Sequence, residues 1–220
     1  MKNDNRRQSG GSYSREIPDL TGTFCVGITG HRPNRLAGAD LPLLHEKVGL
    51  ALSMIRDILK DQDSSVPTVV SPLAEGADRI AAIKGLELGF SLYCPLPLPP
   101  DEYEKDFPDE SSRKAFYDLL SKADFIRVLS GDAPEQAREY AYAQSGIEII
   151  RCSSLLIALW DGQPERGEGG TAGVVDRALS GDLPVIWIQS KADHHVRVLM
   201  PENPVTDETL RKILQSFGSD

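Results

Sequence analysis

The sequence predicts an α/β fold: a doubly wound, mostly parallel sheet of about six strands with helices on both faces, a Rossmann-like arrangement. Three observations predict it. Short apolar runs dense in β-branched and aromatic residues recur along the chain, and longer stretches with helical periodicity separate them, which is the pattern of βαβ units. The chain has 220 residues, 40% hydrophobic and 26% charged, enough for one sizeable core.

In chain order, residues 1–20 are polar and Gly/Ser-containing. They cannot bury enough apolar surface to offset ordering and are expected to form a flexible leader. Residues 21–220 are expected to form a single domain, since no internal linker or repeat interrupts them. The expected strands are Phe24–Thr29, Thr68–Pro72, Ser91–Pro95, Phe125–Leu129, Leu155–Trp160 and Val185–Gln189. Between the first two, Leu44, Val48, Leu52, Ile55 and Leu59 share one helical face while Glu46, Lys47, Arg56 and Asp57 face away, so this helix docks on the sheet. Further helices are expected over about 77–88, 111–123, 134–151 and 171–180. A last one lies within 204–217, with Thr206 as its N-cap and Glu208 in its first turn.

Composition also excludes classes of function. A net charge of −9 argues against nucleic acid as a partner, because phosphate neutralisation needs a basic face. Cys25, Cys94 and Cys152 are far apart and lack CxxC spacing, so they read as reduced thiols of a cytoplasmic protein. No apolar run reaches the length of a membrane span. The histidines lack metal-ligand spacing, so no metal or other cofactor is expected.

Ligands of open parallel sheets bind beyond the carboxyl ends of the strands, so the residues that follow each strand are the candidates. The first strand is followed by Gly30, His31, Arg32 and Arg35, whose guanidinium groups suit phosphate or carboxylate. After the second come Glu75, Gly76, Asp78 and Arg79. A glycine there lets backbone N–H groups approach an anion, and an acidic side chain can orient a sugar hydroxyl. An acidic helix start that only complements the helix dipole is the plainer alternative. The third strand leaves through a proline-rich segment toward Tyr103 and Phe107, a wall for a bound base or simply a stiff strand exit. The fifth strand ends in Trp160-Asp161-Gly162, followed by Gly167-Glu168-Gly169-Gly170-Thr171, which presents N–H groups and a hydroxyl to a phosphate. The loop lacks the lysine of GxxxxGK[ST], which disfavours a Walker NTPase, and GxGxxG is absent after the first strand.

These motifs together, GITGHRP (27–33), EGADRIAA (75–82), EYEKDF (102–107), LIALWDG (156–162) and GEGGT (167–171), resemble the SLOG superfamily. That group comprises the LOG nucleotide phosphoribohydrolases, the DprA/Smf proteins and the N-terminal domains of TRPM channels. Within it the chain is most similar to the bacterial domains of conflict systems. The resemblance implies a nucleotide or nucleotide-derived ligand and a homodimer or higher oligomer. One departure bears on catalysis. LOG enzymes carry PGGxGTxxE with a catalytic glutamate, and the matching position here is Val174; Asp176, two residues on, sits roughly 200° around the helix. Ligand sensing without hydrolysis is therefore expected, and cleavage of the N-glycosidic bond of a nucleoside monophosphate is the alternative, with Glu75, Glu168 or Asp161 supplying the carboxylate.

Overall fold

The computed structural model describes residues 18–61, 65–129, 138–164, 170–191 and 194–217. Nearly all of the expected leader, the start of the fourth helix and Gly167–Gly169 lie outside the described residues. Seven strands form one sheet in the order β4-β3-β2-β1-β5-β6-β7. They are β1 (Cys25–Gly30), β2 (Thr68–Val70), β3 (Ser91–Leu96), β4 (Phe125–Val128), β5 (Leu155–Trp160), β6 (Val185–Gln189) and β7 (Val196–Leu199). The described helices are α1 (Leu41–Lys60), α2 (Ala77–Glu87), α3 (Pro100–Tyr103), α4 (Glu110–Leu120), α5 (Arg138–Cys152), α6 (Thr171–Ser180) and α7 (Glu208–Ser216), with a 3₁₀ turn at Glu104–Asp106.

The count of six strands is corrected to seven. The missed strand, β7, pairs antiparallel with β6, matching Ile186 with Val198 and Ile188 with Val196. It is short, carries Arg197 at its centre and follows the polar His194-His195 pair, so its alternation was too brief to read. All other pairings are parallel.

Alternate residues of the central strands feed two apolar clusters. Val26, Ile28, Leu155, Ile157 and Leu159 join Leu44, Val48, Leu52 and Ile55 of α1, Ile80 of α2 and Ile213 of α7. Cys25, Leu156 and Ala158 instead join Ile149 of α5 with Val174, Val175 and Ala178 of α6. The period-2 alternation of a strand thus divides each central sequence between two faces. Helix α1 begins at Asp40, whose carboxylate accepts the Leu43 N–H at 3.0 Å. The cap of α7 is Asp207, accepting from Leu210 N–H at 2.7 Å, rather than Thr206. Among the described residues no helix is long and apolar enough to cross a membrane.

Candidate functional site

Strand order reverses at β1: β2, β3 and β4 extend to one side, and β5 starts the other. Crevices form at such a point because the connections leave the adjacent strand ends in opposite directions. Two glycines shape it. An added Cβ at Gly30 would lie 2.4 Å from the Ala77 Cβ and 2.6 Å from the Leu159 carbonyl oxygen, so its absence lets α2 start against the end of β1. Gly76, with φ +92°, caps α2, and a Cβ there would lie 2.3 Å from the His31 carbonyl oxygen. That face of the helix start is filled by the chain leaving β1, and Ala77 N–H bonds the same carbonyl at 3.2 Å. Gly76 therefore lets the chain leaving β1 cross close to the start of α2, and the Ala77 N–H there is bonded to protein backbone.

A cavity of about 120 Å³ lies at this end of the sheet, lined by Thr29, Arg32, Asp78, Tyr103, Tyr142, Ser145 and, from α6, Val174. Asp78 is buried in its wall, and burial pushes its carboxyl up to about 7 against the opposing pull of Arg32, the Ala74 N–H and Arg79. The same desolvation raises the Tyr103 phenol well above its ordinary value. Ser145 Oγ donates to the Pro95 carbonyl at 2.9 Å, tying α5 to the end of β3. Leu73, fully buried beside the lining residues Pro72 and Ala74, holds φ +61°. Left-handed backbone at a bulky buried residue is costly and is retained only where the surroundings enforce it. Here Ser71 Oγ accepts its N–H at 3.2 Å and Arg79 Nε donates to its carbonyl at 3.0 Å.

Arg32 stands at the cavity with its side chain 45% exposed, 3.6 Å from Asp106 Oδ2, and its guanidinium carbon lies 5.8 Å from the centre of the Tyr142 ring. Asp106 also accepts from Arg138 at 2.6 Å and from the Tyr142 hydroxyl. Burial and that carboxylate push the Tyr142 phenol up to about 12.

The other sequence candidates fall into two further groups. His31, Arg35 and Asp161 clamp the end of β1 to the end of β5. Arg35 Nη2 lies 3.1 Å from both Asp161 oxygens, and His31 Nε2 lies 2.9 Å from Oδ1 and 3.2 Å from the Asp161 backbone nitrogen. Burial lowers the His31 pKa against the opposing pull of the Asp161 carboxylate. Burial raises the Asp161 pKa, but bonds from His31, the Gln163 N–H and Arg35 outweigh it and hold the carboxyl down at about 2. In the second group, Arg79 donates to the Ser112 hydroxyl at 2.9 Å and the Ser112 carbonyl at 3.0 Å, with Phe107 under its guanidinium at 4.3 Å. Glu75 accepts from the Ser112 hydroxyl. Arg35 and Arg79 are thus engaged by protein, which leaves Arg32 as the arginine of the predicted set at the cavity.

Trp160 and Gly162 belong to neither group and do not line the cavity; Trp160 donates to the Gln163 carbonyl at 2.9 Å and packs on Trp187. Gly170 caps α6 and Thr171 is buried in its first turn, while Gly169 lies outside the described residues. Val174 reaches the cavity wall, and Asp176 is exposed. Sequence reasoning missed Asp106, Arg138 and Ser145 as site residues. Asp106 lies within the EYEKDF segment, but nothing in its spacing from Arg138 signals their contact.

Comparison with solved structures places this architecture. DNA processing protein A (DprA) from Streptococcus pneumoniae superposes over 90% of the chain with TM-score 0.50 and 15% identity. The fold is a DprA-like Rossmannoid domain. The chain spans 58% of the length of that protein. DprA from Helicobacter pylori, described in a single-stranded DNA binding mode, matches over 90% of the chain and 74% of its own, with TM-score 0.49 and 16% identity. No protein-family model matches the chain, and no curated protein matches it by sequence. The SLOG resemblance read from the strand-end motifs is borne out at the level of the DprA-like fold. The exclusion of nucleic acid is corrected. The Streptococcus pneumoniae protein that shares this fold is a DNA processing protein, so the fold is compatible with a nucleic-acid partner. Net charge sums the whole surface, whereas a strand of phosphates meets only one face of it.

Proposed function

We propose that the protein binds a nucleotide or nucleotide-derived small molecule at the carboxyl ends of β1, β2 and β3, and does so without cleaving it. The observation that carries this reading is the cavity beside β1, with the buried carboxyl of Asp78 and the phenol of Tyr103 in its wall and Arg32 beside them. Carboxyl and phenol oxygens accept from vicinal hydroxyls, as a ribose offers, and a guanidinium pairs with phosphate. The cavity is open to solvent, so a ligand's sugar can sit beside Asp78 while its phosphate and base stay toward the mouth. The strand reversal at β1 supports reading the sheet as doubly wound and this crevice as its ligand site.

Val174 in the cavity wall supports binding without hydrolysis, since an aliphatic side chain neither activates water nor stabilises a developing cation. In this reading residues 21–220 act as one domain, and occupancy biases the pairing of a homodimer or larger assembly, as in a sensor. The test is native mass spectrometry of the full chain, followed by calorimetric titration of AMP and ADP-ribose. A retained nucleotide, or saturable binding weakened at least tenfold by Asp78→Asn, is the expected result. Absence of both overturns the reading, and release of free base from AMP overturns its non-hydrolytic part.

The DprA-like fold favours a second reading, single-stranded DNA. Binding of a thymidine oligonucleotide that falls steeply with salt, with no affinity for AMP, is its signature.

A further inference from the structure

The 3₁₀ turn after α3 belongs to a short acidic strap, Asp101 to Asp106, that ends on the cavity rim. Its last residue, Asp106, is half-buried and faces three donors from two other parts of the chain: Arg32 after β1, and Arg138 and Tyr142 on α5. A carboxylate has lone pairs enough for all three, yet only two of them come within hydrogen-bond distance of it. Oδ1 takes Arg138 at 2.6 Å, Oδ2 takes the Tyr142 hydroxyl, and Arg32 is left at 3.6 Å with its side chain 45% exposed. Two guanidinium groups and a hydroxyl converge on the single charge of Asp106, and that excess of positive charge and donors suits a phosphate dianion better than a carboxylate.

We infer that Arg32, Arg138 and Tyr142 form a phosphate seat and that Asp106 occupies it as a built-in stand-in, displaced when a ligand phosphate arrives. The inference deepens the nucleotide reading by fixing where the phosphate goes, and it makes the strap a competitor of the ligand. The seat adjoins the cavity through Arg32, which lines that cavity and reaches Asp106. A phosphate monoester with its sugar beside Asp78 is the ligand chemistry that spans both.

The experiment titrates inorganic phosphate, then AMP and adenosine, into the full chain, following the Arg side-chain N–H resonances by NMR. Asp106→Asn removes the competing charge while retaining shape, and hydrogen bonds to charged groups set the expected gain in phosphate affinity at about tenfold or more. Arg138→Gln is expected to lose about tenfold, and neither substitution is expected to change adenosine affinity. Unchanged or weaker phosphate binding by Asp106→Asn overturns the proposal. If that variant does not fold, Arg138→Gln decides alone, and unchanged phosphate affinity overturns it. Failure of the nucleotide reading shows differently: inorganic phosphate still responds to both substitutions while AMP binds no better than phosphate. Ribose 5-phosphate and a thymidine oligonucleotide lacking terminal phosphates separate a monoester from a diester source, and preference for the oligonucleotide overturns the monoester assignment.

Discussion

Asp78 shows how one side chain can couple site and stability. Its carboxyl titrates near 7 in the folded chain against 3.8 for an ordinary aspartate, so the folded state keeps a proton that the unfolded state releases. Between about pH 4 and pH 7 stability therefore falls as pH rises, and at roughly 1.4 kcal/mol per pH unit the loss over that window is of order 4 kcal/mol. Asp78→Asn should match the parent near pH 4 and exceed it by a few kcal/mol at pH 8 in urea unfolding. Equal stability at both pH values would show that the carboxyl is solvated. Asp161 has the opposite sign. Its carboxyl, held at about 2, contributes stability that is full above pH 4 and lost as pH falls toward 2. Asp161→Asn should cost about 2 kcal/mol at pH 7, and less at pH 2.5. Both residues look alike in sequence, an acidic group in the segment that follows a strand. Burial in the cavity wall separates Asp78 from Asp161, which His31 and Arg35 engage.

Elements meet here through close contacts and buried polar joints. Gly76→Ala would force a side chain into left-handed backbone and against the His31 carbonyl, so a loss of about 3 kcal/mol or more is expected on denaturant unfolding. An unaltered midpoint would mean that the β1 exit relaxes freely. On the other side of the sheet Glu148 of α5 accepts from Tyr93 of β3 at 2.9 Å and from Arg127 of β4 at 2.6 Å. Bonds from Arg151, Tyr93 and Arg127 override its burial and keep the carboxyl at about 2. Glu148→Ala leaves a buried phenol and a guanidinium without this partner, and about 3–5 kcal/mol of destabilisation is expected by thermal or urea unfolding. Nothing along the chain signals this joint, because its members are 21 and 55 residues apart and each alone reads as an ordinary polar position.

For the whole molecule, a ligand that binds only the folded chain stabilises it by mass action. AMP at a hundred times its dissociation constant should add about 2.7 kcal/mol and raise the unfolding midpoint by roughly 5–10 °C for a chain of this size. A midpoint insensitive to AMP at that occupancy would contradict coupling of binding to the native fold. What the sequence by itself determined was the alternating order of strands and helices from β1 to β6, and with it the expectation of a site at the strand ends. The periods of 2 and 3.6 are local properties that neighbouring residues carry. The tertiary structure alone decided which candidates share a site. It engaged Arg35 with Asp161 and Arg79 with Ser112, placed Arg32 beside Asp78 and Tyr103, and brought in Asp106 and Arg138 from distant segments. It also added β7, whose pairing with β6 completes one edge of the sheet. The physical reason is common to all of these. A charged side chain takes its role from the partner and the burial it meets after folding, and neither is written in its neighbours along the chain.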